Sequence, residues 1–238
     1  MDILVLQAGE PVADLAARRG DFVRWIRETV GDAWRGGWRV HDVRTEAAFP
    51  EVGSAAAFII TGSSSSVTER APWMLRTEEY VRQLIAARRP LLGICFGHQI
   101  MAQACGGNVT KNPRGREIGT QHVTRLGDDP LFKGLPASFD VSETHVDAVA
   151  KVPSDARVLA STSMDPVAAF AIGPVARAVQ FHPEVDADAM RGYVLARSPI
   201  LRSEGLDADA ILASVREAPH AHALLRNFVR EFVGTGEA

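Results

Sequence analysis

A doubly wound, mostly parallel α/β sheet flanked by helices is the fold class this sequence predicts. Three observations carry it. Short apolar runs alternate with helical patterns over the first hundred residues, a sharp G-x-C-x-G turn follows one of those runs, and a β-rich stretch then gives way to a helical C-terminal segment.

The first apolar run, Ile3 to Leu6, is too short and has too acidic a start, at Asp2, for a signal peptide; it suits a buried first strand. Phe22, Val23, Ile26 and Val30 then recur at helical spacing behind Asp21, a residue type that caps helix N-termini. Trp38 to Val43 and Ala57 to Ile60 read as the next two strands. Pro72 suits the first position of a helix whose apolar residues include Leu75, Val81, Leu84 and Ile85. A strand at Leu91 follows, then Ile100, Met101 and Ala104 at helical spacing until Gly106-Gly107 ends the element. This β-α-β rhythm belongs to a parallel sheet covered on both faces.

Between about residues 108 and 181 the pattern turns strand-like, with segments at Glu117 to Leu126, Phe139 to Ser142, Val167 to Ile172 and Ala176 to Phe181. From Asp186 it is helical again: Ile211, Leu212 and Val215, then a stripe of Leu224, Leu225, Phe228, Val229 and Phe232 that reads as core. Ser63 to Ser66 is the one low-complexity tract, so residues 1–238 read as a single domain with a core over 1–185 and a helical extension over 186–238.

The chain has 238 residues, 46% hydrophobic and 23% charged, with a net charge of −3, enough for a large core. Without a long Lys/Arg run, nucleic acid and anionic membranes are poor partners, and small molecules or proteins better ones. No apolar segment is long enough to span a bilayer. The two cysteines, Cys95 and Cys105, fall at opposite ends of the predicted elbow helix, too far apart for a disulfide, and a reducing cytoplasm is the expected compartment.

Chemistry concentrates at Gly93-Ile94-Cys95-Phe96-Gly97-His98-Gln99. Flanking glycines let a strand turn sharply into a helix, projecting the central side chain and aiming backbone N–H groups past it, while the helix N-terminus favours a thiolate. Taken alone, the elbow leaves open whether Cys95 is a nucleophile or a buried small hydrophobe. Phe181-His182-Pro183-Glu184 offers what a nucleophile needs, a base and an acid to orient it. Residues two apart on a strand point the same way, and Pro183 stiffens the link between them. Thr61-Gly62-Ser63-Ser64 after the third strand suits an oxyanion hole in which the N–H groups of Ser63 and Phe96 bracket a developing charge; a flexible Ser-rich loop fits the same spacing. His41, His122, His220 and His222 show no partner pattern, and neither a metal nor a cofactor is expected.

These segments, with Thr144-His145-Val146-Asp147, together resemble class I glutamine amidotransferases, in their order and from residue 3 to about 185. The likeness is nearest to the stand-alone GMP-synthase-like branch, which Asn112-Pro113-Arg114-Gly115-Arg116-Glu117-Ile118-Gly119 also resembles. The resemblance implies a flavodoxin-like fold in which Cys95 attacks the side-chain amide of glutamine, His182 carries the proton to ammonia and Glu184 orients His182. Gly62 and Gln99, with the backbone around Thr144 and His145, would hold the substrate; His98 would be structural. The chain departs from the family where Gly62-Ser63-Ser64 replaces Gly-Gly-Pro and Thr144-His145-Val146-Asp147 replaces Ser-His-Gly-Asp, which predicts a more rigid or misaligned hole and extra bulk at the substrate's head group.

The family's ammonia acceptor is a synthase domain or subunit. This sequence carries no Walker-type phosphate loop and no Ser-Gly-Gly pyrophosphatase loop, which leaves two enzyme readings. One is an ammonia-donating partner of a separate synthase subunit; the other is a stand-alone hydrolase of glutamine or γ-glutamyl compounds, favoured by the C-terminal helical segment. Hydrolysis of a γ-glutamyl peptide is the alternative reaction, and a non-catalytic glutamine-binding module the alternative class. Cysteine hydrolases with His directly after the nucleophile fit less well, because Phe96 stands there.

Overall fold

The computed structural model describes residues 1–234. Its strands are β1 (Asp2–Gln7), β2 (Gly37–Asp42), β3 (Ala57–Ile60), β4 (Leu91–Ile94), β5 (Asn108–Lys111), β6 (Glu117–Arg125), β7 (Ser138–His145), β8 (Asp147–Lys151), β9 (Ala156–Ser161), β10 (Ala169–Ile172) and β11 (Ala176–Val179). Its helices are α1 (Ala13–Arg19), α2 (Phe22–Val30), α3 (Pro72–Ala86), α4 (Phe96–Ala104), α5 (Ala187–Ser203), α6 (Ala208–Ser214) and α7 (Pro219–Phe228).

Nine strands form one sheet in the order β2-β1-β3-β4-β11-β10-β9-β6-β7, and β5 pairs with β8 alone. From β2 to β11 the pairing is parallel; β10, β9, β6 and β7 extend it antiparallel. The mixed sheet matches the two halves of the sequence pattern.

Side chains alternate between two cores, as the pleat requires. Ile3, Ile59 and Leu92 face Ile26 and Val30 of α2 and Leu224, Leu225 and Phe228 of α7, whereas Leu4, Phe58 and Leu91 face Met74, Val81 and Leu84 of α3 and Ile100 and Met101 of α4. The sheet is therefore wound on both sides. The stripe Leu224, Leu225, Phe228 and Val229 is fully buried, so α7 completes the sheet's own core. A third cluster joins Leu15, Phe22 and Trp25 to Met190, Tyr193, Val194 and Leu201 of α5. It walls one side of the edge where β1, β3, β4 and β11 end.

Asp21 caps α2 as predicted, accepting from the N–H of Arg24, and Pro72 opens α3; Asp186 caps α5 as well, accepting from the N–H of Ala189. Four elements lacked a clear signal in the sequence: α1, with Leu15 as its buried residue; β5, with buried Val109; and the half-exposed strands β8 and β9.

Candidate active site

β4 ends at Cys95, which turns into α4 at φ 51°, ψ −99°, a left-handed conformation costly for a side chain with a Cβ. Its neighbours explain how the turn closes. A Cβ on Gly93 would meet the Gly97 carbonyl oxygen at 2.4 Å, and one on Gly97 would meet the Ile60 oxygen at 2.5 Å. Only glycine lets the incoming strand, the outgoing helix and β3 approach so closely. The thiol thus stands at the C-terminal edge of the parallel strands and at the N-terminus of α4.

β11 delivers the partners. His182 Nδ1 lies 2.7 Å from Glu184 Oε1, and both side chains are buried. With Nδ1 committed to the carboxylate, Nε2 is left for Cys95, and the two side chains converge on Gly62, where a Cβ would lie 3.7 Å from both His182 Nε2 and Cys95 Cβ. The backbone N–H of His182 is held by Ser142 O at 2.8 Å, and Phe22 stacks on the ring at 6.0 Å. Gly62 lies against the pair, since a Cβ there would reach His182 Cε1 at 2.8 Å.

The electrostatics follow from this packing. Burial works against charge on His182, but the Glu184 carboxylate and then the thiolate outweigh it and lift the imidazole to about 10. Burial likewise pushes the Cys95 thiol up, and the charge and hydrogen bond of His182, helped by His145, bring it below its ordinary value. Both shifts run toward a thiolate–imidazolium pair.

Cys95 lies between two cavities. One, of about 530 Å3, runs past His182 to Phe22, Tyr193 and Arg197; the other, of about 280 Å3, is lined by Phe96, Gln99, Thr144, His145 and Val146. Ser63 and Cys95 border both, so every residue that the sequence singled out except Gly62 and Glu184 faces one cavity or the other. Gln99 Nε2 donates to Asp147 O at 2.9 Å and Gln180 Oε1 at 3.0 Å, fixing its amide at the wall. The serine tract is ordered rather than free: Ser63 Oγ accepts from the Ser65 N–H at 3.2 Å, while Ser66 and Glu69 cap each other's turn and Ser66 hydrogen-bonds Asp147. His98 is fully buried against Phe170, and burial with the charge of His145 lowers it to about 3, leaving it neutral.

Sequence reasoning missed the charge beneath the thiol. His145 Nδ1 lies 2.9 Å from Asp147 O, and Nε2 lies 3.1 Å from Glu117 and 3.5 Å from Glu143. Burial lowers the His145 pKa, but the Glu117 hydrogen bond and the Cys95 charge raise it above its ordinary value, which suits two protons on a ring flanked by oxygens. Burial, then Glu117 and Asp165, hold the Glu143 carboxyl well above the usual carboxylate range, as a neutral acid. The β6–β7 register pairs Glu117 with His145 across 28 positions, and motif spacing carries no trace of that. Arg197 and Tyr193 were also missed. Their one signal is a four-residue interval on the helix after Asp186, which places the guanidinium 5.2 Å from the Tyr193 ring.

Residues 35–200 match the family model for glutamine amidotransferase class-I. Over 203 residues the chain is 39% identical to the glutamine-hydrolyzing GMP synthase of Parafrankia sp., covering 81% of this chain and 34% of that one. It is 39% identical over 131 residues to the same enzyme of Aeropyrum pernix, covering 55% and 24% of the two chains. With gamma-glutamyl peptidase 3 of Arabidopsis thaliana it shares 31% identity over 139 residues, 56% of each chain. The chain thus spans only a quarter to a third of the GMP synthases it matches. Among solved structures, a glutamine amidotransferase from Thermotoga maritima superposes with a TM-score of 0.75 at 20% identity, covering 99% of both chains, a likeness of fold. Matched over most of its length and closed around a cysteine elbow, the chain belongs to the class I glutamine amidotransferase family.

Proposed function

We propose that this chain hydrolyses the γ-amide of glutamine, or of a γ-glutamyl compound, through Cys95, His182 and Glu184 and a γ-glutamyl thioester. The observation that carries the reading is the strained Cys95 beside His182, itself clamped at 2.7 Å by Glu184, between two cavities at the sheet's C-terminal edge. The relatives are named as glutamine-hydrolyzing synthases and γ-glutamyl peptidases, which supports chemistry of this class.

The thiolate adds to the γ-carbonyl carbon, and the oxygen's negative charge falls toward the N–H groups of Ser63 and Phe96. Each donor of that kind is typically worth about 2.7–4 kcal/mol. His182 gives its Nε2 proton to the departing nitrogen, the carbon–nitrogen bond breaks, and a thioester remains. A water then loses a proton to His182 and attacks the thioester, releasing glutamate and restoring the pair. Glu184 keeps the imidazole in the required tautomer and balances its charge at both steps. The cavity beside Gln99, Thr144 and His145 is assigned to the amino-acid end of the glutamyl group. Similarity to GMP synthases supports a separate synthase subunit as the ammonia acceptor, and the larger cavity beside His182 favours γ-glutamyl peptides as a second substrate class.

Cys95→Ala is expected to abolish release of glutamate, and a γ-glutamyl electrophile such as 6-diazo-5-oxo-norleucine to alkylate Cys95 with loss of dinitrogen, leaving the mass of the remaining thioether-linked fragment on it. Equal turnover by the Ala variant overturns the mechanism. Glutamine that stabilises the fold without turnover or labelling would instead mark a binding module.

A further inference from the structure

The cavity on the His182 side of Cys95 is far larger than its proposed role in releasing ammonia requires. A molecule the size of water needs roughly 10–15 Å3, whereas this cavity holds about 530 Å3. Its position gives it a job. In the mechanism proposed above, the leaving nitrogen must sit against the acid that protonates it, and His182 borders this cavity and not the one beside Gln99. Whatever is attached to that nitrogen extends here.

The wall is chemically marked. Arg197 reaches into both cavities, hydrogen-bonds Thr144 Oγ1 and lies over the Tyr193 ring at 5.2 Å. Among the described residues it has no acidic partner, although most arginines here do: Arg116, its neighbour in the second cavity, is held by both oxygens of Glu204 at 2.8 and 2.9 Å. Partial burial lowers the Arg197 pKa without removing its charge, so a cation with unused N–H groups sits in a confined site beside the nucleophile. Such a group is matched by a carboxylate, which takes two N–H bonds from a guanidinium fork. Tyr193 and Phe22 give the wall beside Arg197 an aromatic face, while the carboxylates of Glu10 and Asp14 also line this cavity.

We infer that Arg197, backed by Tyr193, forms a leaving-group subsite for amines that carry a carboxylate, making γ-glutamyl amino acids or short γ-glutamyl peptides the preferred substrates over glutamine. The inference rests on the γ-glutamyl hydrolysis proposed above.

The test compares γ-glutamylglycine with γ-glutamylglycinamide, which differ at the leaving group only in the charge Arg197 would read, and takes glutamine as the reference. Wild-type protein is expected to favour the free acid by about 10-fold or more in kcat/KM, the range of a charge-assisted hydrogen bond. Arg197→Met should collapse that ratio toward one and Arg197→Lys should keep part of it. Equal cleavage of the two glycine compounds by wild type, or cleavage of glutamine alone, overturns the subsite while leaving the hydrolase intact. So does an Arg197→Met variant that loses the same factor on both compounds, because the residue then anchors the glutamyl end or only supports the fold. Failure to release glutamate from any of the three substrates overturns the hydrolysis itself.

Discussion

Two buried histidine–glutamate pairs flank Cys95, one at the end of β11 and one across the β6–β7 ladder, and in the mechanism proposed above their difference separates a proton carrier from a fixed charge. His182 and His145 are both almost fully buried, and both are lifted above the ordinary histidine value against the pull of desolvation. His182 commits one nitrogen to Glu184 and turns the other to the thiol, on the wall of a cavity. His145 commits both nitrogens to protein oxygens, Asp147 O and Glu117. A ring with one nitrogen free toward a reacting atom can pass a proton; a ring with both tied can only lend its field.

The largest break in this symmetry is expected from His182→Asn. Losing a positioned acid–base group typically lowers kcat by about 10²–10⁴-fold. Alkylation of Cys95 by iodoacetamide as a function of pH gives the second signature. In wild type its inflection lies below the ordinary thiol value of 9.0, and in the variant, with burial no longer opposed by the imidazolium, it lies above. An unchanged inflection would mean that His182 does not set the thiol's state.

Glu184→Gln follows, with a loss of about 10²-fold or more expected in kcat, as for other amide replacements of a triad acid. Its pH dependence has a definite sign. The folded His182 pKa of about 10 exceeds the ordinary 6.5, while the Cys95 thiol is lowered from 9.0. Between 6.5 and 9.0 the proton kept on His182 is therefore offset by the one missing from Cys95, and the stability gained from the charged pair is lost as pH rises from about 9.0 toward 10. Wild-type urea midpoints should fall across that window and fall less in Glu184→Gln, where an amide no longer favours the imidazolium. Parallel curves would separate Glu184 from the charge on His182.

The same contrast explains what could be read from sequence. Cys95, His182 and Glu184 sit in local motifs, where two glycines or a proline between neighbours dictate geometry over a few residues. The parallel strands were equally legible because β3 and β4 are buried on both faces and read as unbroken apolar runs. The His145 cluster was not, since Glu117 and His145 meet only through the register of β6 and β7. Elements that bury one or two side chains, such as α1 and β5, left too weak a period to detect. The serine tract was ambiguous until its partners were known: Ser66 reaches Asp147 from a distant strand, and this contact turns a flexible-looking run into a fixed wall.

Glu117→Gln gives the smallest and most diagnostic effect. The amide is nearly isosteric and still accepts a hydrogen bond, but it removes the largest influence holding the proton on His145. His145 should then sit neutral, and Cys95 loses the second of the two cations that lower it, after His182. The iodoacetamide inflection is expected to move up, less than in His182→Asn, and kcat/KM at neutral pH to fall modestly and recover as pH rises, because the carrier at His182 is untouched. A loss that persists at every pH would make the β6–β7 pair part of the proton path, and the division between carrier and fixed charge would fail. A stable variant with an unmoved inflection would leave His145 a structural residue, with the thiol held down by His182 alone.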